Sequence, residues 1–112
     1  MAQITYGSTD GQYFTQWRFD LLAEFLDDVE KGPANRQQLP IEDAKIWYDK
    51  MEDFHRLEFK CRGRVVSVRL YKAFACEIDG HEFWTGCPQS SSQKLALAIR
   101  KELGVTFSVA ES

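Results

Sequence analysis

Leu57-Glu58-Phe59-Lys60-Cys61-Arg62-Gly63-Arg64-Val65-Val66-Ser67-Val68-Arg69-Leu70 alternates apolar and polar side chains on both sides of one glycine. Period-two alternation places every second side chain on one face of a strand, so the stretch predicts a β-hairpin turning at Gly63. Pairing Cys61 with Val66, Phe59 with Val68 and Leu57 with Leu70 brings both apolar rows to one face. The same register sets Glu58 opposite Arg69. A second hairpin is expected downstream, where Phe74, Cys76 and Ile78 lead into Asp79-Gly80, a favoured two-residue turn. Its return strand carries His81, Phe83 and Thr85, with Phe83 opposite Cys76, Trp84 opposite Ala75, and Glu77 opposite Glu82.

Around these hairpins the period changes to that of a helix. Phe14, Trp17, Leu21, Leu22, Phe25, Leu26 and Val29 recur at three- and four-residue spacing, predicting a helix from Tyr13–Gln16 to about Lys31. Gly32-Pro33 ends it, because glycine accepts a left-handed cap and proline cannot continue the ladder. Residues 32–39 read as an internal loop. Pro40 suits a first helical position, and Ile41, Ala44, Trp47, Tyr48 and Met51 predict a second helix as far as Asp53. Ser90, Ser91 or Ser92 caps a third, with Leu95, Ala98, Ile99 and Leu103 inward and Gly104 behind it. Gln3 to Tyr6 reads as an edge strand, and Val105, Phe107 and Val109 as a last one. The expected fold is α+β: a single two-layer domain over residues 1–112, with a mainly antiparallel sheet of four to six strands and about three helices on one face.

Composition narrows the class. The chain has 112 residues, 44% of them hydrophobic and 13% aromatic, enough for one core and too apolar for disorder. No run approaches the ~20 apolar residues of a membrane span, and Met-Ala-Gln-Ile is not the start of a secretory leader. Cys61, Cys76 and Cys87 are odd in number and form no Cys-x-x-Cys pair, favouring reduced thiols. A cytoplasmic location with no membrane partner is therefore expected.

Charge supplies the functional signal. The formal net charge is -3, yet Arg56, Lys60, Arg62, Arg64, Arg69 and Lys72 face only Glu58 between His55 and Lys72. Acids concentrate upstream: Asp20, Glu24, Asp27, Asp28 and Glu30 on the first helix, with Asp49, Glu52 and Asp53 on the second. Two oppositely charged faces can steer a charged partner. The six cations, with Trp84 as an outward apolar anchor, form the candidate partner-binding surface; the alternative is the acidic face of Asp20, Glu24, Asp27 and Asp28. Trp17 and Trp47 lie on helical stripes and are expected in the core.

Other chemistry has less support. His81 and Glu82 are adjacent and point to opposite faces of a strand, a poor acid–base pair. The Cys and His spacings match no zinc pattern, and no calcium loop, phosphate loop or nucleophile elbow occurs. Cys87, before Pro88 at a strand-to-helix junction, is the candidate for a thiol enzyme, and a carboxylate site is its counterpart. From Leu57 to Gly104 the β-β-β-α order resembles the later part of double-stranded-RNA-binding domains. Those domains contact phosphates with basic residues at the start of the final helix, where Gln89-Ser90-Ser91-Ser92-Gln93-Lys94 supplies one lysine. No residue role transfers. The preferred reading is a non-enzymatic interaction or regulatory protein for a charged protein partner, without catalytic residues, metal or cofactor. Its alternatives are a nucleic-acid-binding module built on the basic hairpin and a small thiol or carboxylate enzyme; self-association is compatible with any of these.

Overall fold

In the computed structural model, which describes residues 3–32, 38–88 and 91–104, the alternating stretch around Gly63 forms two antiparallel strands. The turn is tighter than expected. Arg62 and Gly63 both take positive φ, 54° and 77°, and Cys61 pairs with Arg64. A two-residue mirror-image turn matches the right-handed twist of the strands, whereas a four-residue loop is needed for the expected register. Phe59 therefore pairs with Val66, Leu57 with Val68 and His55 with Leu70. The slip is two residues, so the faces are preserved, but Arg69 now lies opposite Arg56 instead of Glu58.

Six strands make the sheet: β1 (Ile4–Tyr6), β2 (Ile41–Asp49), β3 (Phe54–Cys61), β4 (Arg64–Leu70), β5 (Ala73–Ile78) and β6 (His81–Pro88). They lie side by side in chain order, β1 parallel to β2 and the others antiparallel. Helices α1 (Gln16–Lys31) and α2 (Ser92–Glu102) pack on one face. The result is a single α+β domain with a mixed six-stranded sheet. The expected final strand, Val105 to Val109, lies outside the described residues.

The expected second helix is strand β2. Its core-facing residues are Ala44, Ile46 and Tyr48, and Lys45, Trp47 and Asp49 alternate with them. A bulge between Glu42 and Lys45, with Asp43 at φ 54°, breaks that alternation at its start and imitates helical spacing. Hydrogen bonding to β1 and β3 on either side overrides a helix-tolerant composition. The described residues thus form two helices where about three were expected, and the acids Asp49, Glu52 and Asp53 belong to a strand end and its turn.

The core joins Phe19, Leu22, Phe25, Leu26 and Val29 of α1 and Leu95 and Ile99 of α2 to the inward rows of β2 to β5. Phe25 stacks on Phe74 at 5.1 Å. Trp17 lies outside this core, 52% exposed, because the buried stripe of α1 runs through Phe19, Leu22, Phe25, Leu26 and Val29 and Trp17 falls on another side of the helix. Glu30, expected among solvated acids, is buried. The Asp79–Gly80 turn forms as expected, with Ile78 opposite His81 and Glu77 opposite Glu82. A bulge then sets Trp84, not Phe83, opposite Cys76, and Trp84 half-buries against the core instead of projecting as an anchor. Asp79 fastens this turn to β4, accepting from the Val65 N–H and the Arg64 Nε–H, both at 2.9 Å. Those two donors hold its carboxyl below the usual carboxylate range.

His55 ties the first helix to the sheet. The imidazole is buried, and its Nε2 accepts a hydrogen bond from the N–H of Thr15, the N-cap residue of α1, at 3.0 Å. Phe14 stacks on the ring at 5.5 Å and Tyr48 meets it edge-on at 5.0 Å. Burial, and then the nearby Arg18 guanidinium, push its pKa below the ordinary value. The unfolded chain therefore takes up this proton first. The stabilisation is complete above about pH 6.5 and declines as pH falls from there through the folded pKa. The urea midpoint should drop on acidification below about pH 6.5, and more steeply in the native chain than in His55→Gln. Equal slopes in the two proteins would remove His55 as the cause.

Candidate interaction surface

The six basic residues of the hairpin do not form one patch. Arg62 and Arg64 turn toward the end of α2: Arg62 donates to the Leu103 carbonyl at 2.9 Å, and Arg64 pairs with Asp79 at 2.9 Å and Glu102 at 3.5 Å. Lys60 pairs with Asp43 at 3.6 Å. Arg56 is held by Asp49 at 3.1 Å and Glu52 at 3.6 Å. Arg69 and Lys72 instead lie over aromatic rings, Phe54 at 5.5 Å and Tyr71 at 5.7 Å. Intramolecular pairing thus accounts for four of the six. Trp84 belongs to the helix-covered side.

With both helices on one face, no helix among the described residues covers the other face of the sheet. Cross-strand register arranges it in rows. Trp47, Arg56, Arg69 and Ala75 make one row; Lys45, Glu58, Ser67, Glu77 and Glu82 make the next. Asp49 and Phe54 begin the row at the β2–β3 end. Trp47 is clasped by Lys45 at 4.9 Å and Arg56 at 5.6 Å. The bases Lys45, Arg56, Lys60 and Arg69 are nearly matched in number by the acids Glu42, Asp49, Glu58, Glu77 and Glu82. This face is charge-balanced and aromatic, not basic. Trp47 was expected in the core because residues 40–53 read as a helix; the alternation of Lys45, Trp47 and Asp49 was the available signal.

The acidic face of α1 is present. Asp20, Glu24 and Asp28 are exposed, and Asp27 pairs with Lys31 at 3.2 Å. Asp28 lines a cleft of about 190 Å³ between the helices, with Gly32, Gln93, Ala96 and Leu97. Burial, then Asp27 and Glu24, raise its pKa. Among the described residues no second carboxylate lines this cleft.

The other candidate groups stay apart. His55 lies at the end of the sheet with the β2–β3 turn and His81 at the opposite end, by the β5–β6 turn. Cys61 and Cys76 are buried and unpaired. Burial raises both thiols, that of Cys76 to about 12 with help from Glu77, so neither is a ready nucleophile. Of Cys87 only the backbone pairing with Phe74 is described. Among the described residues no group of His, Cys, Asp and Glu could hold a metal ion, and no helix is long and apolar enough to cross a membrane.

Comparison with protein-family models, curated proteins and solved structures returned no match for this chain.

Proposed function

We propose that this chain is a non-enzymatic interaction module that binds a protein partner through the uncovered face of its sheet. The observation that carries this reading is the face itself, in which Trp47 and Phe54 sit among four bases and five acids. A nucleic acid gains most of its affinity from neutralised phosphates, and a charge-balanced face supplies little net attraction of that kind. A protein surface of mixed charge with an apolar centre complements it better, aromatics and arginine being the usual anchors of such contacts. The mechanism is complementarity and occlusion, with no cofactor. The unpaired Cys61 and Cys76 favour action in a reducing, cytoplasmic setting.

The test is affinity purification from the native cell extract, with nuclease, using the wild-type chain and Trp47→Glu in parallel. Expected is a protein recovered in stoichiometric amount by the wild type and lost by the variant, whose circular dichroism and urea midpoint remain close to wild type. Equal capture by both chains, or nucleic acid as the specific ligand, would overturn the reading.

A further inference from the structure

At the end of the sheet where α1 begins, three cations rest on aromatic rings with no carboxylate partner among the described residues. Arg18 lies 4.7 Å from the Trp17 ring centre and 6.0 Å from that of Tyr71. Tyr71 meets Phe54 edge-on at 6.4 Å, Arg69 covers Phe54 at 5.5 Å, and Lys72 lies over Tyr71 at 5.7 Å. The contacts run continuously from the helix layer, around the end of the sheet, onto the uncovered face. By contrast Lys31, Lys50, Arg56, Lys60 and Arg64 each reach a carboxylate within 4 Å.

Two features of this ridge are unfavourable to the isolated chain. Arg69 stands directly opposite Arg56 on the neighbouring strand, and like charges so placed repel. Arg56 is neutralised by Asp49 and Glu52; Arg69 is not. The Arg18 Nε lies out of reach of solvent without a hydrogen-bond partner, and its Nη1 finds only the Thr15 hydroxyl at 3.4 Å. A carboxylate arriving here would relieve the first by neutralising Arg69, and would add a counter-charge beside the Arg18 guanidinium. Trp17 and Tyr71, 52% and 44% exposed, add apolar surface beside the cations.

We infer that the ridge of Trp17, Arg18, Phe54, Arg69, Tyr71 and Lys72 receives a short acidic peptide segment of the protein partner, one or two carboxylates beside an aromatic side chain. The carboxylates meet the guanidiniums and the ring packs on Trp17 and Tyr71. A long polyanion fits less well, because Asp20, Glu24, Asp27 and Asp28 continue along α1 from this point. The inference rests on the protein-partner reading and names the chemistry of the contact.

The probe is a fluorescein-labelled peptide alternating glutamate with phenylalanine, titrated with the full chain at low salt and followed by anisotropy. Its glutamine counterpart and a single-stranded oligothymidine are titrated alongside. Expected is saturable binding of the glutamate peptide alone, weakened by salt and reduced about tenfold or more by Arg69→Glu and by Trp17→Ala, each with an unchanged urea midpoint. Absence of binding, or binding indifferent to both substitutions, overturns the inference. So does preference for the oligothymidine, or sedimentation showing that Arg69→Glu alters only self-association. If a partner is captured through Trp47 but indifferent to Arg69→Glu and Trp17→Ala, the acidic-peptide assignment fails and the protein-partner reading stands. If capture fails while the peptide binds, the reverse holds.

Discussion

Arg100→Ala is expected to lower the stability of the domain by about 3 kcal/mol, the loss of two charge-assisted hydrogen bonds, although the Glu30 carbonyl keeps the Leu39 N–H as a donor. Arg100 lies on α2 with 1% of its surface exposed, and its Nη1 donates to the Val29 carbonyl and, at 3.1 Å, to the Glu30 carbonyl. These carbonyls belong to the last turn of α1, whose terminal acceptors lack partners within the helix. One guanidinium therefore caps one helix from the other. Gly32 makes room for it: a Cβ there would overlap the Arg100 guanidinium, and φ of 70° with ψ of -179° suits glycine alone. Burial lowers the Arg100 pKa, but it remains a cation at any ordinary pH. Arg100→Met keeps the apolar stem and loses the same bonds, so it should fall between alanine and wild type. Arg100→Lys retains a charge near the helix terminus, worth only about 0.5–1 kcal/mol without the fork. Urea titration of the three variants checks the order. A loss below about 1 kcal/mol for alanine, or a lysine variant as stable as wild type, would show that the cap contributes little.

What the sequence made legible follows from which information is local. The apolar rows of Leu57, Phe59 and Cys61 and of Val66, Val68 and Leu70 face the core as the alternation requires. Their register was not legible, because a two-residue slip leaves the same rows inward, and the positive φ of Arg62 selected the pairing. The Asp79-Gly80 turn was readable because its two residues carry the whole signal; the bulge that redirects Trp84 comes after it and has no local mark. At Asp43 a bulge disguised β2 as a helix, concealing Trp47 on the open face. The cation–aromatic ridge was less visible still. Trp17 and Arg18 are separated by more than thirty residues from Phe54, Arg69, Tyr71 and Lys72, and only docking of α1 against the β4–β5 turn joins them. Charge counting located Arg69 and Lys72, but the acids that occupy Arg56, Lys60 and Arg64 come from other turns and strands.

Gly11→Ala tests how that docking is held, with an expected cost of about 2–3 kcal/mol for forcing a methyl into a filled site. The segment before α1 runs beside β2, where Gly7 N–H donates to the Ile46 carbonyl and Tyr48 N–H to the Ser8 carbonyl, each at 2.8 Å. Gly11 then passes over the face of Tyr48 so closely that a Cβ would overlap the ring. The ring has no room to retreat. Its hydroxyl donates to Asp53 at 2.8 Å, and Phe14 and His55 enclose it edge-on. The added methyl must lift residues 11–15 from the sheet, weakening the bond from Thr15 to His55 and the placement of Trp17 and Arg18 on the next turn. In a Tyr48→Leu background the smaller side chain leaves space, and the methyl should cost at least about 1 kcal/mol less, a coupling typical of touching residues. Urea denaturation of the four proteins in the cycle measures this difference. Equal costs in the two backgrounds would place the effect of the methyl somewhere other than the Tyr48 ring. If the ring is the cause, Gly11→Ala should also weaken binding of the glutamate–phenylalanine peptide, since the chain that carries Trp17 and Arg18 to Tyr71 begins at this contact.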